Sequence, residues 1–293
     1  MNRVMPLRPP HEREHPIYAR LRDWTDPASE GRRAFFDALW AEYARFAPKR
    51  FLGSLQIEFH QRWWEMYLTV TLVRLGFAVE TNAADAGPDV TLEVDGPPVF
   101  VEAVAPKAGT ASDRVPEPMH HGVSDFPERE CLLRLTQALR AKEGAFQTYM
   151  RKGIVPVDAC RIIALSASDL NQFGSMLDAT QPAPLSVLAG AGPLVLTIGG
   201  TAPPRSSRRD VLMRDSGSPV PAALFDDPDF AIVSGVLYSP VELWNAPLDA
   251  STTLSSFVNP MASVPVPAVF QGRFVTWTRG ADGGDAHVWT RRD

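Results

Sequence analysis

The chain has 293 residues, 45% hydrophobic and 22% charged, which places it among globular chains large enough for one large domain or two small ones. Its net charge of −5 gives no global attraction for nucleic acid, so any such contact must come from a local basic groove. No apolar run reaches transmembrane length, and the opening MNRVMPLRPPHEREHP lacks a signal peptide's apolar core, so a cytoplasmic protein without membrane contact is expected.

Residues 1–30 are rich in Arg, Pro and acids and read as an irregular arm, with a short helix at Ile17–Trp24. From Gly31, Phe35, Phe36, Leu39, Trp40, Tyr43 and Phe46 recur at three- and four-residue steps, the mark of a helix. Arg32, Arg33, Arg45, Lys49 and Arg50 decorate it, either as a solvated face, the simpler reading, or as a face for phosphates. A second helix runs from about Ser54 to Leu75 and ends at Gly76. Phe59, Trp63, Met66 and Val70 form its apolar stripe. Glu58, Arg62, Glu65 and Thr69 form another line, readable as a salt-bridge ladder. Phe77–Glu80 is a short strand.

The central stretch is GPDVTLEVDGPPVFVEAVAPK, Gly87 to Lys107. Val90, Leu92 and Val94 alternate with Thr91, Glu93 and Asp95, as in a half-buried strand, and Asp95-Gly96 signals a turn. Val99–Ala105 is apolar except for Glu102, a carboxylate that must be paired or metal-bound if it is buried. Asp89 opens the first strand, so a hairpin can bring it beside Glu102. Two hard oxygen ligands on neighbouring strands suit Mg²⁺. The plainer reading is a turn-capping Asp89 and a Glu102 paired with a buried Arg.

Residues 106–127 read as a loop containing His120-His121, which at most touch substrate. Glu128–Lys152 is the longest helix, with Leu132, Leu135, Leu139 and Phe146 on its core line, Gly153 at its end, and Arg134, Arg140, Lys142, Arg151 and Lys152 making it basic. Arg161–Ser166 is a buried strand. Beyond it, Pro193–Ile198 and Phe230–Tyr238 read as strands, and Thr201–Val220 as a mobile loop whose Arg205, Arg208 and Arg209 are available to phosphate. Phe274–Thr278 and His287–Thr290 read as a terminal hairpin. Cys131 and Cys160 are expected as free core thiols, and no GxGxxG, P-loop or CxxC pair occurs.

Pro88-Asp89, a strand, a turn and then Val101-Glu102-Ala103-Val104 resemble the PD-(D/E)XK nuclease superfamily, over about residues 55–170. The order helix, three strands, helix, strand is similar to the core of that superfamily. The resemblance implies an α/β fold with a mixed central sheet flanked by helices. It further implies a restriction-endonuclease-like core at 54–170, an N-terminal arm and helix at 1–53, and a C-terminal extension of the same domain at 171–293. It implies Mg²⁺-dependent, or Mn²⁺-dependent, hydrolysis of DNA, with Asp89 and Glu102 holding the metal and Glu65 as a further acid from the preceding helix. This sequence departs from the pattern at Val104, where the superfamily has its lysine. Lys142 on the long helix is the replacement expected from the resemblance, with Lys107 its rival. Arg32, Arg33, Arg134, Arg205, Arg208 and Arg209 are the expected phosphate contacts. The alternative is a nuclease-like protein without catalysis, acting as a nucleic-acid-binding or scaffold module. A homodimer or a protein partner stays open.

Overall fold

The structure, a computed structural model, describes residues 4–23, 25–81, 87–117, 125–170, 176–178, 181–195, 205–247, 253–270, 272–279 and 289–292. The chain order begins α1 (Pro16–Asp23), α2 (Pro27–Tyr43), α3 (Phe51–Ile57), α4 (Phe59–Arg74), β1 (Ala78–Thr81), β2 (Val90–Glu93), β3 (Val99–Val104), α5 (Glu128–Arg151) and β4 (Cys160–Ser166). It continues through α6 (Ala183–Leu188), β5 (Ala191–Val195), β6 (Arg205–Arg208), β7 (Val211–Met213), β8 (Pro219–Pro221), β9 (Gly235–Ser239), β10 (Ser255–Val258), β11 (Val275–Arg279) and β12 (Trp289–Arg292). The fold is α/β, with a mixed central sheet flanked by helices. Among the described residues, that sheet has eight strands in the order β1-β2-β3-β4-β9-β10-β11-β12.

Alternation along the strands sorts the chain into two apolar layers. Val99, Val101, Ala103, Ile162 and Ala164 face one side, packing with Met5, Tyr18, Leu39, Trp63 and Trp64 from the arm and α1–α4. Ile163, Leu165, Val236 and Tyr238 face the other, packing with Leu132, Leu135, Leu139 and Phe146 of α5 and with α6. Trp64 Nε1–H donates to the Ala164 carbonyl at 2.9 Å, tying α4 to β4. Nearly every α4 position from Trp63 to Leu72 is buried, so this helix is covered all round and its apolar face is broader than a single stripe. Gly76 (φ 86°) and Gly153 (φ 69°) close the ends of α4 and α5 in the left-handed region open to glycine.

β3 and β4 run parallel and α5 is the crossover between them, while β2–β3 is an antiparallel hairpin around Gly96. β4 continues parallel to β9, and β11–β12 form the terminal antiparallel pair.

Three expectations are corrected. The helix expected over Ser54–Leu75 is two helices, broken at Glu58 (φ −113°, ψ 52°), where the Gln56 carbonyl accepts the N–H of His15 from the arm at 2.8 Å. The described part of Thr201–Val220 is not a loop: it supplies β6, which pairs antiparallel with the preceding β5, and, with Pro221, the antiparallel pair β7–β8, which turns at Gly217 (φ 77°). Phe230–Ile232 belongs to a 3₁₀ turn, Pro228–Ile232, because the Asp227 side chain accepts the Asp229 N–H and caps it. Cys131 and Cys160 are free and buried. No described helix is long and apolar enough to cross a membrane. His120-His121 lie outside the described residues.

Candidate active site

The pairing of Val90 with Val101 carries Asp89, one step further out, to the position opposite Glu102 on the same face of the hairpin. Asp89 Oδ2 is held there by the Ala103 N–H at 2.8 Å. Glu102 is 2% exposed, the charged interruption of an otherwise apolar strand. Its partner comes from α5: Lys142 Nζ donates to Glu102 Oε2 and lies 3.8 Å from Asp89 Oδ2. Tyr149, two turns along α5 from Lys142, lines the same cavity as Glu102.

The fourth group comes from α4. Glu65 is buried, and Arg62 Nη1 grips both its oxygens at 2.8 and 2.7 Å. Gln61 Nε2 donates to Glu65 Oε1 at 2.9 Å, while its Oε1 accepts the Ala105 N–H at 2.8 Å. The ladder expected from spacing exists, since Arg62 also reaches Glu58 at 3.4 Å, but it forms the wall of a cavity instead of an open surface. Asp89, Glu102, Glu65 and Lys142 thus line one polar cavity of about 330 Å³, together with Gln61, Arg62 and Tyr149.

Burial raises the carboxyls of Asp89 and Glu102 above their ordinary values; Asp89 raises Glu102 further, while Lys142 opposes the shift in both. Glu65 is likewise raised by burial, with Arg62 pulling the other way. Burial works against the Lys142 ammonium, but Glu102 and Asp89 outweigh it and hold the lysine above its ordinary value. Lys142 is therefore charged, and one ammonium faces two convergent carboxylates.

Lys107 takes no part in this cluster. Its side chain is 68% exposed and lies 3.8 Å from Glu58. The six arginines are dispersed. Arg32 donates to the Ala246 carbonyl and Arg33 to the Leu21 carbonyl. Arg134 donates to Gln137 and to the Asp113 carbonyl, Arg208 pairs with Asp210 and Asp226, and Arg209 pairs with Glu128. Arg205 lies on β6. Three other cations, Arg8, Lys49 and Arg50, line a neighbouring pocket that shares Glu58 with the cavity.

Two cavity residues were not singled out from sequence, Gln61 and Tyr149. The available signal was helical spacing alone: Gln61 lies four residues before Glu65, and Tyr149 seven after Lys142. Neither a protein-family model, nor a curated protein, nor a solved structure matches this chain. Fold and site together define an α/β protein with convergent carboxylates and a lysine in one polar cavity.

Proposed function

We propose that this protein is a metal-dependent nuclease of restriction-endonuclease-like type, hydrolysing phosphodiester bonds of DNA. The observation that carries the reading is the approach of Lys142, from a helix 40 residues downstream, to the carboxylates of both Asp89 and Glu102. That is the grouping the superfamily builds with a strand lysine, and it accounts for Val104.

The donor set fits a hard divalent cation, because Asp89, Glu102 and Glu65 offer carboxylate oxygens alone, and a bound cation would favour the ionised carboxylates that burial opposes in Asp89 and Glu102. Asp89 and Glu102 would hold Mg²⁺ or Mn²⁺, which would supply a Lewis acid for a phosphoryl oxygen and an acidified water, with Glu65 on the cavity wall assisting through a second ion or a water. The chain's own groups do the rest. Lys142 stabilises negative charge developing on the scissile phosphate, a role that matters most in the transition state. Gln61 with Arg62 fixes Glu65. Arg8, Lys49 and Arg50 offer a polyanion a local basic approach beside the cavity despite the net negative charge.

The second reading is a nuclease-like module that binds nucleic acid or a protein without cleaving. One observation favours it: the Lys142 ammonium already sits against both acids, as in a self-neutralised ion cluster. A cleavage assay on plasmid and linear DNA with Mg²⁺ or Mn²⁺ decides. Nuclease action requires metal-dependent cleavage by the wild type and DNA binding that weakens steeply with salt. A wild type that binds but never cleaves with either ion establishes the module instead.

A further inference from the structure

A second polar pocket, of about 210 Å³, lies at the start of α4. It meets the carboxylate cavity only through Glu58 and Gln61, and nothing in the proposed chemistry uses it. Three segments distant in sequence converge there: His15 from the arm, His60 from α4, and Asp169 from the turn after β4. We propose that His15, His60 and Asp169 form a site for one Zn²⁺ ion, separate from the carboxylate cavity, which fastens the arm to the core.

Each residue offers one ligand atom, and the three atoms lie within 4.8 Å of one another. The distance between His60 Nε2 and Asp169 Oδ1 is 3.5 Å. Ligands of a tetrahedral Zn²⁺ bound at about 2.0–2.1 Å stand roughly 3.3–3.4 Å apart, so this pair is already spaced for one ion. The rings of His15 and His60 meet edge to face at 5.0 Å. His15 Nδ1 accepts the Ile17 N–H at 3.3 Å, which leaves Nε2 as its ligand atom. His60 Nδ1 is buried and has no hydrogen-bond partner among the described residues.

The donor chemistry separates the two pockets. Two imidazoles and a carboxylate suit Zn²⁺ and the later transition ions, whereas the carboxylate cavity has only oxygen donors of the kind Mg²⁺ prefers. Burial lowers both imidazoles to about 4, so they are neutral and able to ligate at neutral pH. The charged neighbours do not block an ion, for Lys107 is mostly exposed and engages Glu58. The arm is already attached here by the His15 N–H to Gln56 carbonyl bond, at the break between α3 and α4. An ion with ligands from arm, helix and turn would lock that break.

The test uses the full chain, stripped with chelator and titrated with Zn²⁺, and with Co²⁺ for its visible absorption, in millimolar Mg²⁺. Binding is read by equilibrium dialysis with metal analysis and by the melting temperature. The expected result is one equivalent of Zn²⁺ and a Co²⁺ spectrum with nitrogen ligation. Asp169→Asn and His15→Ala should weaken binding by more than the roughly 10–100-fold that loss of an outer-shell partner brings. They should also abolish the rise in melting temperature with Zn²⁺ while melting like the wild type in chelator. Glu102→Gln should bind Zn²⁺ as the wild type does. Failure of the folded wild type to take up Zn²⁺ overturns the proposal, and so does unchanged binding by Asp169→Asn and His15→Ala. Because His60→Gln removes a group packed at a helix start, these two variants decide even if it does not fold.

Discussion

Two charges are buried on neighbouring strands of this sheet, and they have opposite fates. Arg161 on β4 is 1% exposed and has no carboxylate partner among the described residues. Its guanidinium is engaged by fixed neutral acceptors: Nε donates to the Ile232 carbonyl at 2.6 Å, Nη1 to the Pro156 and Val157 carbonyls at 3.2 and 3.0 Å, and Nη2 to Ser263 Oγ at 3.2 Å. Burial lowers its pKa, but guanidinium starts too high to lose its proton. Glu102 on β3 is buried as deeply, yet its partners are side chains and it borders a cavity. Arg161 joins three chain segments through these bonds. Glu102 shares the Lys142 ammonium with Asp89 beside open space. Burial of a charge therefore does not by itself mark a site; what matters is whether fixed groups satisfy it.

Substitutions at the two positions should separate activity from stability. The largest effect is expected at the carboxylates, where Asp89→Ala or Glu102→Ala should abolish metal-dependent cleavage while leaving the protein folded. Lys142→Ala should follow, lowering kcat by about 10²–10³-fold, the range for loss of one group stabilising transition-state charge, with Mn²⁺ binding retained by titration. A Lys142→Ala enzyme that cleaves normally would remove this lysine from the chemistry.

Arg161→Ala should act on stability instead. It removes the guanidinium's bonds to the Ile232, Pro156 and Val157 carbonyls and to Ser263, and should cost about 3–5 kcal/mol in denaturant unfolding. Unfolding like the wild type would show that these acceptors are satisfied without Arg161.

A smaller effect follows from pH. Carboxyls raised in the native state add stability below their unfolded values and lose it as pH climbs through the native ones. Without metal, the wild type should thus lose ground to Asp89→Asn between the ordinary carboxylate range and neutral pH. The variant should melt a few degrees higher at pH 7.5, while the two converge near pH 3. A variant that melts lower at pH 7.5 would mean Lys142 more than balances both acids. Smallest of all, Lys107→Ala should change stability by less than about 0.5 kcal/mol and leave cleavage intact, because its pair with Glu58 is exposed.

Much of the frame was legible because strand and helix formation follow local spacing. Val90 and Leu92 alternate with polar neighbours, Val99–Ala105 reads as a covered strand, and Gly76 and Gly153 mark the ends of α4 and α5. Glu102 could be recognised as anomalous, since a lone acid in an apolar run requires a partner. The break at Glu58 was not legible, because its cause is a hydrogen bond from His15, more than 40 residues away in the chain. The strands within Thr201–Val220 were hidden by their Pro, Ser and Arg content, which reads as loop until antiparallel partners are supplied.

The sequence by itself determined most of the helices and strands of the first half, the break at Glu58 excepted, and that two acids sit on one hairpin, because those properties depend on neighbours a few residues apart. Only the tertiary structure decided that Lys142 and not Lys107 meets those acids, that Arg208 and Arg209 are paired with acids, and that His15, His60 and Asp169 meet at all. Those outcomes depend on how a crossover helix and an N-terminal arm lie against the sheet, and sequence spacing carries no measure of that distance.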